Sequence, residues 1–237
     1  MNTNHNGRSD RLDRSRERML AHLRREVPDE RVIEAISTVP RERFVPPHLR
    51  DRAYDDCALP IAEGQTISQP LMVAIMTAAL ELRPEDRVLE VGTGSGYQAA
   101  VLSSLAREVI TVERHDRLRE GAAALLIGLG YSNVRVYPAG HALGRPEDAP
   151  YDAIVVTAGA PHVPRALLEQ LAPDGRLVLP VGSLRMQELV RARKTTHGVE
   201  FARLGACGFV PLVGREAWSP EDQPETSRRI PTKSQRR

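Results

Sequence analysis

From residue 87 onward, short apolar runs alternate with longer runs whose apolar residues recur at helical spacing. Strands that alternate with helices join into a parallel sheet covered by helices, so the pattern predicts an α/β fold with a doubly wound, mostly parallel sheet. The run YDAIVVTA is nearly all apolar, which is typical of a strand covered on both faces. The predicted strands are 87–91, 108–113, 133–138, 151–158 and 175–182, and the predicted helices are 97–106, 117–130 and 163–171.

The pattern changes on either side of this region. Before it, DERVIEAISTV carries its apolar residues on one helical face, with Asp29 as the expected N-cap and Pro40 as the stop. A second, more apolar helix is predicted at 71–82. After residue 186 only strand-like runs follow, and we expect them to complete the sheet with antiparallel strands. These runs are QELVRARK, VEFARLGA and FVPLV.

The two ends of the chain are more polar than its centre. Residues 1–10 are polar and predicted to fray, and SPEDQPETSRRIPTKSQRR combines prolines and charges with a single Ile. A segment of that composition cannot bury a core. The predicted division is a polar, helical N-terminal extension at 1–28, one α/β domain at 29–218 and a disordered basic tail at 219–237.

Composition narrows the functional classes. The 237 residues suit one large domain, and a net charge of +2 argues against a dedicated nucleic-acid binder, which usually has a large basic excess. Cys57 and Cys207 form no CxxC pair, so we expect neither a disulfide framework nor a metal site. The sequence lacks a run of membrane-spanning length and a signal-peptide core. We therefore expect a cytoplasmic monomer that binds neither nucleic acid nor membrane.

A glycine-rich loop, GTGSG, follows the strand at 87–91 and precedes a helix. Parallel sheets bind ligands at the carboxyl ends of their strands, where this loop is expected to lie. Glu113 ends the next strand, 21 residues after Gly92, and a carboxylate there can accept both hydroxyls of a ribose. These features together predict a nucleotide-like cofactor.

Glycine spacing alone does not identify that cofactor. Gly92, Gly94 and Gly96 fit the loop that binds S-adenosylmethionine, but Gly94, Gly96 and Ala99 also fit the dinucleotide pattern. Charge is more informative, because Glu90 precedes Gly92 by two residues and would repel a pyrophosphate. S-adenosylmethionine carries a sulfonium and an ammonium instead of phosphates. We therefore favour it over a dinucleotide.

The octapeptide EGQTISQP, at 63–70, has two interpretations. Ser68 could serve as N-cap of the following helix, with Pro70 in the first turn. Alternatively, the hydroxyls of Thr66 and Ser68 could hold an anionic acceptor over the cofactor. A carboxylate acceptor would need no general base, since its reference pKa of about 4 leaves it ionised at neutral pH.

A set of longer motifs occurs along residues 29–214. They are TVPRERFVPP, AYDDCALPI, EGQTISQPLMVAIM, VLEVGTGSGYQAAVLS, VITVER, YDAIVVTAGAPHVPRALLEQLAPDGRLVLPVG and GFVPLV. Together these motifs resemble the protein-L-isoaspartate O-methyltransferase family, and the TISxP block is the most specific of them. The resemblance implies a Rossmann-like class I methyltransferase fold, with S-adenosylmethionine as the methyl donor.

The resemblance also implies a substrate and a purpose. The acceptor would be the α-carboxyl of an L-isoaspartyl residue in a damaged protein or peptide. The methyl ester then closes spontaneously to a succinimide, which reopens partly to normal aspartate. The enzyme would thus initiate protein repair, and isoaspartyl-containing proteins and peptides would be its partners.

One departure from the family pattern concerns the adenine. The family reads Gly-Asp-Gly after the third strand, and its Asp accepts a hydrogen bond from the adenine amino group, whereas this chain has His141 at that position. We expect His141 to take over this contact. The candidate site comprises Ser68 as the catalytic residue, Thr66 and Ser68 for the acceptor, and Glu90, Gly92, Gly94, Gly96, Glu113 and His141 for the cofactor.

Three other readings stay open at this stage. A methyltransferase for a different carboxylate or a small molecule would carry the same cofactor motifs, because such motifs do not define the acceptor. A non-catalytic binding module would no longer bind the cofactor well. The intact Gly92, Glu113 and Ser68 argue against this interpretation. A dinucleotide-dependent oxidoreductase would bind NAD.

Overall fold

The computed structural model describes residues 3–219, and a seven-stranded sheet forms the centre of this range. The strand order is β5-β4-β3-β6-β7-β8-β9. The first five strands in this order run parallel, β8 pairs antiparallel with β7, and β9 pairs antiparallel with β8. The predicted sheet is therefore confirmed. The strands are β1 (Leu59–Pro60), β2 (Thr66–Ile67), β3 (Arg87–Val91), β4 (Glu108–Glu113), β5 (Val134–Pro138), β6 (Tyr151–Val156), β7 (Leu171–Gly182), β8 (Gln187–Thr195) and β9 (Gly198–Cys207).

Helices cover the sheet, and their positions follow the predicted pattern. Asp29 caps α2 as predicted, because its carboxylate accepts hydrogen bonds from the backbone N–H groups of Arg31 and Val32. The predicted helix at 163–171 is shorter in the structure. The helices are α1 (Thr3–Glu26), α2 (Glu30–Thr38), α3 (Pro70–Ala79), α4 (Tyr97–Ser103), α5 (Asp116–Gly128) and α6 (Arg165–Glu169).

The order of the strands decides where a ligand can bind. The chain runs from β3 outward through β4 and β5, and then returns to place β6 on the other side of β3. The helix connections leave a crevice where the strand order reverses, outside the carboxyl ends of the strands. β6 lies at the middle of the sheet, with Ile154, Val155 and Val156 fully buried.

The run FVPLV, at 209–213, is not the strand that its composition predicts. Pro211 cannot donate to a ladder, and the stretch makes only isolated bridges, from Pro211 to Gly159 and from Val213 to Trp218. The Gly159 N–H donates to the Val210 carbonyl, and the Leu212 N–H donates to the Gly159 carbonyl, each at 2.8 Å. These bonds fix the stretch beside the carboxyl end of β6.

The N-terminal segment packs into the same core as the rest of the domain. α1 begins at Thr3, within the stretch predicted to fray, and Met19, Leu23 and Val27 are buried. The predicted basic tail lies outside the described residues, except for Ser219. Within the described part of the chain, no helix has both the length and the apolar character to cross a membrane.

Arg176 on β7 links the end of α3 to the sheet. This buried arginine donates to the carbonyls of Leu80, Glu81 and Asp152, and its guanidinium pairs with the Asp86 carboxylate at 2.5 Å. Because each of the three guanidinium nitrogens donates a hydrogen bond and the charge is paired, this residue is typical of a structural buried arginine.

Candidate functional site

A cavity opens at the carboxyl ends of β3, β4 and β6, at the crevice that the strand order creates. Its walls come from parts of the chain that are far apart in sequence. The main segments are 65–68, 91–95, 112–115, 142–144, 157–158 and 210–213, joined by Val73, Tyr97, Gln98 and Ala139.

The glycine loop forms the floor of this cavity. Gly92, Gly94 and Gly96 all have positive φ, at 102°, 53° and 87°, which side chains disfavour. A methyl group at Gly92 would collide with the Thr157 hydroxyl, and one at Gly96 would lie 3.2 Å from the Leu126 side chain. Gly92 and Gly94 therefore present backbone to the cavity, whereas Gly96 lies outside the lining and packs against α5. Cofactor binding by this loop stays a prediction.

Glu113 lies at the cavity with its carboxylate held by backbone groups. Its Oε2 accepts a hydrogen bond from the Gly94 N–H and its Oε1 accepts one from the His115 N–H, both at 2.9 Å. Each oxygen keeps a second lone pair, so the oriented carboxylate can accept two further hydrogen bonds. This arrangement suits the predicted contact with a ribose diol.

Glu90 is buried beneath the cavity instead of facing it from the end of β3. It is fully buried and lies outside the cavity lining, while Val91 and Gly92 line it. Its Oε2 accepts a hydrogen bond from the Thr111 hydroxyl at 2.5 Å, and Oε1 has no partner within residues 3–219. Burial, with a smaller contribution from the charge of Glu113, raises the pKa of Glu90 to about 8.

The octapeptide contributes to the cavity wall rather than capping the helix. Half-buried Ser68 and exposed Thr66 both line the cavity. The capping prediction for Ser68 is wrong, because α3 begins one residue later, with Gln69 at the N-cap position and no side-chain capping bond from it in the described structure. Instead, Asp56 accepts a hydrogen bond from the Leu71 N–H at 2.9 Å.

His141 does not take the position that was expected for it. His141 is exposed, and it is not among the described residues that line the cavity. The next residues form that wall because Gln170 holds them: its Nε2 donates to the Leu143 carbonyl at 2.8 Å and its Oε1 accepts from the Arg145 N–H at 2.9 Å. Thus the structure does not bring His141 together with the other candidate residues.

Two features of the site were missed at the sequence level. Residues 210–213 form a wall of the cavity, and Arg41, which is fully buried, donates a hydrogen bond to the Ser68 carbonyl. The motif that contains Arg41 was noted, but periodicity gives no signal for a contact between distant segments. Among the described residues, no three His, Cys, Asp or Glu side chains lie close enough together to hold a metal ion.

Similarity to solved structures agrees with the fold. One protein-L-isoaspartate O-methyltransferase superposes with a TM-score of 0.75 at 29% identity, covering 85% of this chain and 67% of that chain. A Plasmodium falciparum protein, assigned to the beta-aspartate methyltransferases (PCMT) and crystallised with S-adenosyl-L-homocysteine, gives a TM-score of 0.71 at 25% identity, covering 81% and 95%.

Sequence comparison gives the family. The chain is 53% identical to the protein-L-isoaspartate O-methyltransferase of Roseiflexus castenholzii over 203 residues, which cover 86% of this chain and 93% of the relative. The protein of the same name from Pelotomaculum thermopropionicum is 52% identical, covering 84% and 87%. A sequence profile described as Protein-L-isoaspartate(D-aspartate) O-methyltransferase (PCMT) matches residues 14–217. The chain therefore belongs to the protein-L-isoaspartate O-methyltransferase family.

Proposed function

We propose that this chain transfers a methyl group from S-adenosylmethionine to the α-carboxyl of L-isoaspartyl residues in damaged proteins and peptides. The observation that carries the proposal is the family match at 14–217, which contains every segment of the cavity. The methyl ester would close to a succinimide and reopen partly to aspartate, so the reaction starts a repair.

The residues at the cavity fit S-adenosylmethionine. Glu113 would accept the ribose hydroxyls, because two backbone N–H groups already orient its carboxylate. The backbone at Gly92 and Gly94 lines the cavity and would allow close approach of the cofactor. Glu90 would not contact the cofactor directly, because it lies outside the lining and keeps its proton at neutral pH. S-adenosylmethionine supplies a methyl carbon on a sulfonium, which an oxygen nucleophile can attack.

The acceptor side needs to orient a nucleophile rather than create one. A carboxylate is ionised at neutral pH, so no general base is required. The hydroxyls of Ser68 and Thr66 would hold one carboxylate with neutral hydrogen bonds, which leave more nucleophilic character on the oxygen than a direct ion pair would. Holding the acceptor in line and excluding water are then the main contributions of the protein.

Methylation of a matched peptide pair tests this function. The protein is incubated with methyl-labelled S-adenosylmethionine and with two peptides that differ only in Asp or isoAsp at one position. We expect base-labile label in the isoAsp peptide alone, because a methyl ester hydrolyses in mild base and a methylated amine does not. Equal labelling of both peptides, or of neither, would refute the proposed acceptor, and transfer to a small carboxylate instead would identify a different methyltransferase.

A further inference from the structure

Arg41 is a buried side chain that connects two walls of the cavity. Its exposed fraction is 0%, and it begins the short 3-10 helix Arg41–Arg43 that follows α2. Its Nε donates to the Ala53 carbonyl and its Nη2 donates to the Ser68 carbonyl, each at 2.7 Å. The guanidinium carbon lies 4.6 Å from the centre of the Tyr97 ring, at the start of α4 behind the glycine loop.

Arg41 forms no direct ion pair within residues 3–219, although the Asp56 carboxylate is near enough to interact with its charge. Its Nη1 and the Tyr97 hydroxyl are both buried, and neither makes a hydrogen bond of good geometry within that range. Burial lowers the pKa of Arg41, but a guanidinium is so basic that it stays charged. Arg176 makes similar carbonyl contacts with its charge paired to Asp86, so holding carbonyls does not require an unpaired cation.

We propose that Arg41 is a positioning residue for the acceptor, which it serves by fixing the backbone at Ser68 and by placing an unpaired positive charge behind that backbone. The inference rests on the proposed function. Arg41 contacts the Ser68 carbonyl rather than its hydroxyl, so the hydroxyl stays available for the acceptor. Since Arg41 lies outside the cavity lining, its charge favours an anionic acceptor without a direct ion pair to the reacting oxygen.

Two substitutions separate the charge from the geometry. Arg41→Lys keeps the charge but not the planar fork that bonds two carbonyls, whereas Arg41→Met removes both. With an isoAsp peptide, we expect KM for the peptide to rise about tenfold in Arg41→Lys and about a hundredfold in Arg41→Met. The dissociation constant of S-adenosylhomocysteine should change less than about threefold, because Arg41 acts on the acceptor side.

Arg176→Lys and Arg176→Met are the matched controls. They remove comparable buried bonds remote from the cavity, so we expect a lower Tm with the peptide KM within about twofold of wild type. Hydrogen exchange of the peptide that spans 62–69 should accelerate in the Arg41 variants and not in the Arg176 variants. Equal effects of both arginines on KM, or unchanged exchange at 62–69, would overturn the role of Arg41.

The exchange measurement also separates this inference from the proposed function. If the wild-type protein methylates no isoAsp peptide, the proposed acceptor is wrong, and the acceptor role of Arg41 fails with it. Exchange at 62–69 then still decides whether Arg41 fixes the segment around Ser68. If the wild type is active and Arg41→Met keeps its peptide KM, only the inference about Arg41 fails.

Discussion

At the scale of single residues, Glu113 is oriented before any ligand binds, because two backbone N–H groups hold its carboxylate. Glu113→Ala should weaken S-adenosylmethionine binding by about 1.5–3 kcal/mol, the range for hydrogen bonds to a charged group. Calorimetric titration measures this, and the same protein should give no signal with NAD. Glu108→Ala, at the other end of the same strand, is the control and should keep wild-type affinity. Tight NAD binding or indifference to Glu113 would contradict the cofactor assignment.

Glu90 gives the unliganded protein a specific pH dependence. Its pKa rises from an ordinary value of 4.5 to about 8, so the folded chain keeps this proton over a range in which the unfolded chain loses it. The contribution of protonated Glu90 to the free energy of unfolding is therefore complete below pH 4.5 and is lost as the pH rises to about 8. At about 1.36 kcal/mol for each pKa unit, the loss amounts to a few kcal/mol.

Urea unfolding of Glu90→Gln tests this dependence. The amide cannot ionise, so the free energy of unfolding of the variant should fall less than that of wild type between about pH 5 and about pH 8. Glu108→Gln should follow the wild-type curve, since that residue pairs with Arg87 and Arg135 near the surface. Parallel curves for wild type and Glu90→Gln would mean that Glu90 is already ionised in the folded chain.

At the scale of elements, the sequence left Ser68 with two possible roles, binding the acceptor and capping α3, and the structure divides these roles between two residues. Ser68 lines the cavity, and Asp56 accepts the hydrogen bond from the first turn of the helix. Ser68→Ala should lower methyl transfer at least about tenfold with little change in Tm, whereas Asp56→Ala should cost about 1 kcal/mol of stability with activity per folded molecule retained. Urea unfolding and initial rates on the same samples measure both. The reverse result would return the capping role to Ser68.

Local signals predicted the elements and failed where distant segments meet. Asp29 caps its own helix, so its role could be read from adjacent residues, whereas Asp56 caps a helix that begins 14 residues later, at Pro70. Periodicity placed the glycine loop and Glu113 correctly, because the loop follows β3 and Glu113 ends β4. The cavity wall just after His141 is held by Gln170, at the C-cap of α6, which bonds Leu143 and Arg145, and no local pattern in the loop encodes those contacts.

At the scale of the whole molecule, the division into an extension and a domain is not visible in the packing. α1 places Met19 and Leu23 in the core that also contains residues from α2 and α3, and the family profile matches from residue 14, within this helix. Hydrophobic periodicity in α1 is diluted by its many charged residues, which explains why the sequence suggested a polar extension.

The wall at 210–213 has a consequence for how the enzyme is made. The parallel strands β3 to β7 are complete by Gly182, but the cavity stays open on one side until this wall bridges to Gly159. On the ribosome, the chain emerges from its N-terminus, so the sheet can fold while 210–213 are still inside the exit tunnel. A chain in which this segment has not yet emerged therefore has the glycine loop and Ser68 without a closed cavity, so we expect no methyl transfer before 210–213 are in place.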